Sequence, residues 1–257
     1  MKFANTVRLF NRLPGRVAKA WRITRDFGRF VDVQRCTYNK DGLVSFHNCD
    51  FMHDPVFREA YALGKAAGSW GNYDIEWRAY VACWAASKGA ALDGDFVECG
   101  VNRGGLSRAV MHYINFARMT DRKFYLLDTY CGFPERYADS AAEINLHDYS
   151  ECYEAACETF RPFPNAILVR GIVPDSLSMV KTQKVCYLSL DMNCAEPEIA
   201  SAEYFWPKMV SGAVIVHDDY GYLNQYMPQK VALDNFAAKH NVEVLTLPTG
   251  QGLVFKS

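Results

Sequence analysis

Several things are missing from this chain, and each absence removes a class of protein. No apolar stretch approaches the roughly 20 residues needed to cross a bilayer. Near the N-terminus no apolar run stays free of arginine for more than a few residues, which argues against a secretory signal. The nine cysteines are an odd number, scattered, and never spaced C-x-x-C. Several lie inside apolar runs, Cys83 and Cys186 among them, so the expectation is buried thiols in a reducing, cytoplasmic compartment. The net charge of −1 offers no electrostatic footprint for nucleic acid. There is no fixed-period repeat, no low-complexity tract and no long Gly/Ser linker.

What is present suits one large domain with an appendage. The chain has 257 residues, half of them hydrophobic and 14% aromatic, enough for a substantial core. Its charge is uneven: eight of the 28 Lys and Arg fall in residues 1–30 beside a single acid, Asp26. In that segment Phe3, Val7, Phe10, Leu13, Val17 and Trp21 recur at helical spacing. A basic amphipathic extension over 1–35 is expected. It either docks on its own domain or on a second subunit of a homo-oligomer, or lies peripherally on anionic lipid. Residues 36–90 are helical in pattern and read as a cover or substrate lid, leaving 91–257 as the main domain.

Beyond residue 90 short β-rich apolar runs alternate with helix-like segments. The runs are 95–101, 123–129, 166–172, 185–191 and 213–219. Near-continuous apolar strands separated by helices predict a Rossmann-like α/β fold, a mostly parallel sheet covered on both faces. The final runs, 242–247 and 252–257, joined by Pro-Thr-Gly-Gln, predict an antiparallel hairpin at the sheet edge.

In such sheets ligands bind beyond the carboxyl ends of the strands, where strand order reverses. Four of the five endings here are acidic: Glu98, Asp128, Asp191 and the doublet Asp218-Asp219, which follows His217 in "VIVHDDYG". A buried carboxylate needs a donor, a cation or a ligand. The first ending, "VECGVNRGGLS", is a glycine-rich turn with Gly100 and Gly104 four apart, not the G-x-G-x-x-G of dinucleotide sites. Glycine there would let a ligand approach the backbone, and Glu98 suits a cationic, zwitterionic ligand better than a pyrophosphate. Asp128 is placed to accept from two ribose hydroxyls. Together the two acids point to S-adenosylmethionine.

These segments, with "LLDTYCGFPE", "LDMNCAEPEIASAEYFWPKMVSGAVIVHDDYG" and the upstream "DPVFREAYALGKAAG", resemble the macrocin O-methyltransferase family over about residues 50–257. The resemblance implies a class I methyltransferase domain with a seven-stranded sheet and metal-assisted methyl transfer to a sugar hydroxyl, in natural-product or cell-surface glycan synthesis. It places Glu98, Gly100, Asn102 and Gly104 at the methionine end of S-adenosylmethionine, Asp128 and Thr129 at the ribose, and Ile172 or Val173 beside adenine. It also sets the fourth and fifth strands side by side, so that Asp191, Asp218 and Asp219 converge. An oxygen-only set favours Mg²⁺ or another hard divalent cation. Alternatively, Asp218 and Asp219 merely cap the loop.

Two positions depart from the pattern. Asn193 stands where many relatives carry a second acid, and Cys194 where catechol-type enzymes have a basic lysine. The base must therefore lie elsewhere, and Asp191 and His217 are the candidates, with His47, His53 and His147 within conceivable reach. Tyr73 and Trp70 would suit stacking on a sugar ring. These departures keep a second reading open, a cofactor-binding scaffold without chemistry. The glycine spacing disfavours a third, a nicotinamide-dependent oxidoreductase.

Overall fold

In the computed structural model residues 36–137, 149–222 and 227–257 are described. The expected extension over 1–35 and His147 lie outside them. The chain divides into two compact units at Cys49/Asp50.

The described part of the first unit, residues 36–49, is a hairpin and not the helix its place in the 36–90 segment suggested. Strands β1 (Tyr38–Lys40) and β2 (Leu43–Ser45) pair antiparallel. They are joined by Asp41-Gly42, both at positive φ, the conformation a two-residue hairpin turn demands. Three-residue strands give too short a period for a sequence pattern to register.

The second unit opens with helix α1 (Pro55–Ala66). Asp54 caps it by accepting from the Phe57 N–H at 2.8 Å, and Pro55 sits in its first turn. Helix α2 (Glu76–Ala90) buries Ala79, Ala82, Cys83, Ala85 and Ala86. Such small side chains let its axis approach the sheet closely. The sheet then follows: β3 (Asp95–Cys99), α3 (Gly105–Tyr113), β4 (Phe124–Asp128), α4 (Tyr153–Phe160), β5 (Ala166–Arg170), β6 (Val185–Leu190), α5 (Ala195–Phe205), β7 (Met209–His217), α6 (Met227–Lys239), β8 (Val244–Thr246) and β9 (Gly252–Phe255). The link after Gly171 holds only a 3₁₀ turn, Asp175–Met179.

The seven strands run in the order β5-β4-β3-β6-β7-β9-β8. The first five are parallel, while β9 inserts antiparallel between β7 and β8. The chain builds outward from β3 to β5, then crosses back to lay β6 on the other side of β3. The topological switch therefore lies between β3 and β6. Alternate residues of each strand enter different cores. Phe96, Leu126 and Tyr187 join helices α2 and α3 on one face. Val97, Leu127 and Leu188 join Phe205, Trp206 and Phe236 on the other. Because both faces are covered, the strands read as unbroken apolar runs rather than alternating ones. Among the described residues no helix is long and apolar enough to cross a membrane.

Candidate active site

At the switch point the ends of β3, β6 and β7 are locked in register by backbone hydrogen bonds. The Asp191 N–H donates to the Cys99 carbonyl and the Asp218 N–H to the Leu190 carbonyl, each at 2.9 Å. Leu190 pairs with His217 across the sheet, so the next residues on the two strands, Asp191 and Asp218, emerge side by side. Asp191, Asp218 and Asp219 each bring one carboxylate oxygen to within 4.8 Å of the others. Burial first, then the negative charges of Asp218 and Asp219, push the Asp191 carboxyl well above the usual range, with Arg78 pulling the other way. A hard cation would relieve that repulsion, and the all-oxygen donor set fits one.

Sequence reasoning missed the residues that hold Asp218. Arg78, in the first turn of α2, donates from Nη1 to Asp218 Oδ2 at 2.5 Å. Gln251 donates from Nε2 to Asp218 Oδ1 at 2.8 Å. Arg78 was legible only as one of two charges, with Glu76, in the otherwise apolar stretch "IEWRAYVACWAA", and Gln251 had no sequence signal.

His217 occupies a different environment from the acids it precedes. Its ring is fully buried, with Nε2 2.9 Å from Oε2 of the equally buried Glu198 on α5. The contact is ionic in distance but lacks hydrogen-bond direction. Glu198 Oε1 in turn accepts from the Met192 N–H at 3.0 Å. Glu198 thus touches both strand ends, next to Asp191 and next to Asp218. His217 therefore has the carboxylate of Glu198 as its near neighbour, an environment distinct from that of the three aspartates.

The glycine-rich turn also serves the chain itself. Gly100 and Gly104 both have φ near +90°. A Cβ on Gly100 would stand 1.9 Å from the Asp191 carbonyl oxygen, and one on Gly104 would stand 2.4 Å from the Phe160 ring. Neighbouring backbone and side chain thus approach both glycines closely. Asn102, also at positive φ, donates its N–H to Asp128 Oδ2 at 2.8 Å. The Val101 N–H donates to the same oxygen at 2.6 Å, and the Tyr130 N–H to Oδ1 at 2.6 Å. Asp128 thereby pins the turn, and any ribose contact must share those oxygens. Thr129 spends its hydroxyl on the Gly132 carbonyl at 2.6 Å.

Glu98 is buried, and its Oε2 has no hydrogen-bond partner among the described residues. Burial first, then Asp191, Asp218 and Asp128, hold its carboxyl well above the usual range. An unsatisfied buried carboxyl at a strand end fits an ammonium donor. Val173 packs in the apolar core, and its carbonyl accepts from Tyr137 and Arg136 at 2.8 Å, leaving Ile172 the more accessible of that pair. Of the proposed stacking residues, Trp70 is stacked on Tyr61 at 5.3 Å, whereas Tyr73 is 74% exposed. His53 ends an exposed 3₁₀ turn, and His47 follows the hairpin of the first unit.

Residues 79–247, more than half of the chain, match the family described as Macrocin-O-methyltransferase (TylF). A stretch of 140 residues is 28% identical to the 8-demethyl-8-(2,3-dimethoxy-alpha-L-rhamnosyl)-tetracenomycin-C 4'-O-methyltransferase of Streptomyces olivaceus, covering 50% of this chain and 54% of that protein. The chain therefore spans about half the length of the curated relative it matches. Among solved structures, the O-methyltransferase NovP superposes with a TM-score of 0.60 at 21% identity, over 70% of this chain and 79% of NovP. The calicheamicin methyltransferase CalS11 superposes with a TM-score of 0.54 at 14% identity, over 88% and 96% of the two chains. Podospora anserina PaMTH1, solved with SAH bound, gives 0.50 at 13% identity, over 95% and 98%. At these identities the structures speak to the fold.

Proposed function

Because this chain belongs to the macrocin-O-methyltransferase family, we propose that it transfers a methyl group from S-adenosylmethionine to a sugar hydroxyl, assisted by a divalent cation. One observation carries the reading: three carboxylates converge at the switch point of a methyltransferase sheet, one strand away from an unsatisfied buried glutamate. The first feature fits a hard cation and an acceptor; the second fits the amino group of the methyl donor. The sugar acceptor is supported by the Streptomyces olivaceus relative, whose name specifies a rhamnosyl-bearing substrate.

In this reading Glu98 receives the methionine ammonium, Asp128 shares its oxygens with the ribose, and Ile172 flanks the adenine. Asp191, Asp218 and Asp219 would hold the cation, which would supply Lewis acidity toward the acceptor hydroxyl. S-adenosylmethionine supplies an electrophilic methyl group on sulfonium. Asp191, the more open of the three acids, would take the hydroxyl proton as the O–C bond forms and the S–CH3 bond breaks, S-adenosylhomocysteine leaving with that bond's electron pair. His217 and Glu198 keep the two strand ends in place.

The test is calorimetry with S-adenosylhomocysteine, followed by methyl transfer from labelled S-adenosylmethionine to a panel of deoxysugar glycosides with and without EDTA. Binding plus EDTA-sensitive transfer supports the whole reading. Binding with transfer indifferent to EDTA removes the cation. Binding without transfer to any sugar favours the scaffold reading, which Asn193 and Cys194 motivate. No binding overturns the proposal. The helical, basic periodicity of residues 1–30 further supports an acceptor presented on an anionic surface. Co-sedimentation with phosphatidylglycerol vesicles that survives deletion of those residues would refute that part.

A further inference from the structure

Arg78 lies where the proposed function assigns it no task, yet it makes a short polar contact to the carboxylate triad. Its guanidinium is held on two sides: Nη1 contacts Asp218 Oδ2 at 2.5 Å, and Cζ stands 4.6 Å from the centroid of the Tyr222 ring. Both partners of the ion pair are largely shielded, at 15% and 5% side-chain exposure. A third restraint comes through Gln251, whose Nε2 bridges Asp218 Oδ1 at 2.8 Å and the Arg78 carbonyl at 3.4 Å. Such a guanidinium is not readily displaced by an incoming ion, because leaving would strand a buried carboxylate and forfeit a cation–π contact. The ion and the guanidinium must therefore share Asp218.

We propose that Arg78 is a resident counter-ion of the carboxylate triad, a positioning residue that reduces the site's formal charge from −3 to −2 and so matches it to a divalent cation. The inference rests on the metal reading above and deepens it. The physical basis is Coulombic. A fixed positive charge a few ångströms from the ion costs affinity in proportion to the ion's own charge, and little solvent intervenes to screen it. A trivalent ion pays more than a divalent one. The chain thereby forgoes metal affinity in exchange for ordering Asp218 when no ion is bound, and for discrimination by charge.

The experiment measures binding rather than turnover. The full chain is titrated with Mn²⁺ by electron paramagnetic resonance and with Tb³⁺ by luminescence, for wild type, Arg78→Gln and Arg78→Lys. Arg78→Gln removes the charge; it is expected to tighten Mn²⁺ at least tenfold and Tb³⁺ by a larger factor, raising the Tb³⁺/Mn²⁺ affinity ratio. Arg78→Lys keeps the charge; it should bind both ions within threefold of wild type with the ratio unmoved. A merely structural role would weaken both ions and leave their ratio alone. If Arg78→Gln leaves Mn²⁺ affinity within twofold of wild type, or weakens it while the fold is retained by circular dichroism, the inference is overturned. Should Arg78→Gln not fold, Arg78→Lys decides: a tenfold loss of Mn²⁺ affinity there would mean that guanidinium geometry, not charge, is what matters. Wild type that binds neither ion sinks the metal reading and this inference together, whereas wild-type binding with an unmoved ratio in Arg78→Gln sinks the inference alone.

Discussion

The backbone of Gly100 faces the carbonyl oxygen of Asp191 so closely that a Cβ on residue 100 would stand 1.9 Å from it. That contact sets the spacing between the ends of β3 and β6. Alanine at position 100 would combine a positive φ that side chains resist with a clash against backbone, which cannot move aside as a flexible side chain can. Gly100→Ala is expected to cost about 2–6 kcal/mol, from strain of ~1–3 and overpacking of ~1–3 kcal/mol. Urea denaturation should show a lower midpoint at an unchanged slope. A midpoint equal to wild type would mean that the strand ends are not held as described.

Asp128 holds the glycine-rich turn by accepting three backbone N–H groups, from Val101, Asn102 and Tyr130. Asp128→Ala leaves these donors without their acceptor, at about 1–3 kcal/mol for each one that water cannot reach. The expected result is a lower melting temperature and at least a tenfold loss of S-adenosylhomocysteine affinity by calorimetry. Asp128→Asn retains one carbonyl oxygen and should fall between the two. Cofactor affinity unchanged in Asp128→Ala would rule out both the pinning of the turn and the ribose contact.

His217 and Glu198 together separate a positioning role from general-base catalysis. If His217 works through Glu198, then His217→Asn should lower kcat by less than about tenfold and leave the pH–rate profile unmoved. Asp191→Asn, by contrast, should lose on the order of 10² or more, the usual worth of a general base. Disappearance of an ionisation from the kcat profile in His217→Asn would restore the histidine as base.

The loop after the acidic doublet is anchored by another charged group. The Tyr220 hydroxyl donates to Asp234 Oδ1 and Lys230 donates to Asp234 Oδ2, both at 2.6 Å. Partial burial opposes ionisation of Asp234, but the hydrogen bonds from Lys230 and Tyr220 outweigh it and hold its carboxyl below the usual range. A lowered carboxyl contributes stability above its unfolded value of about 3.9 and loses it as pH falls through the folded one. Asp234→Asn should therefore cost roughly 0.5–1 kcal/mol at pH 7, the modest scale of an exposed pair, and less near pH 3. Chemical denaturation at the two pH values checks this; an equal cost at both would assign the effect to packing.

The strands themselves, the acids that end them and the C-terminal hairpin were legible in the sequence because each is a local signal. An apolar run covered on both faces needs no polar alternation, and a carboxylate at its end stands out. The antiparallel pair was readable from its turn, but the insertion of β9 between β7 and β8 was not, since partner choice is not local. The β1–β2 hairpin was missed because six residues of strand carry too little period. Glycines 100 and 104 were found, but the intrachain contacts they make with Asp191 and Phe160 were not legible, since those partners lie far along the chain.

The sequence by itself therefore determined that a parallel sheet would form and that carboxylates would stand at its ligand-binding edge. Strand periodicity and the cost of burying charge require as much. Only the tertiary structure decided which groups those carboxylates meet. Arg78 lies 140 positions from Asp218, Gln251 33 positions away, and the Glu198 that reaches both strand ends comes from a helix between them. Contacts of that kind depend on register and crossover, which a linear pattern does not encode. The same step packs His217 against Glu198, because the strand alternation that places Asp218 at the site turns the preceding side chain into the core.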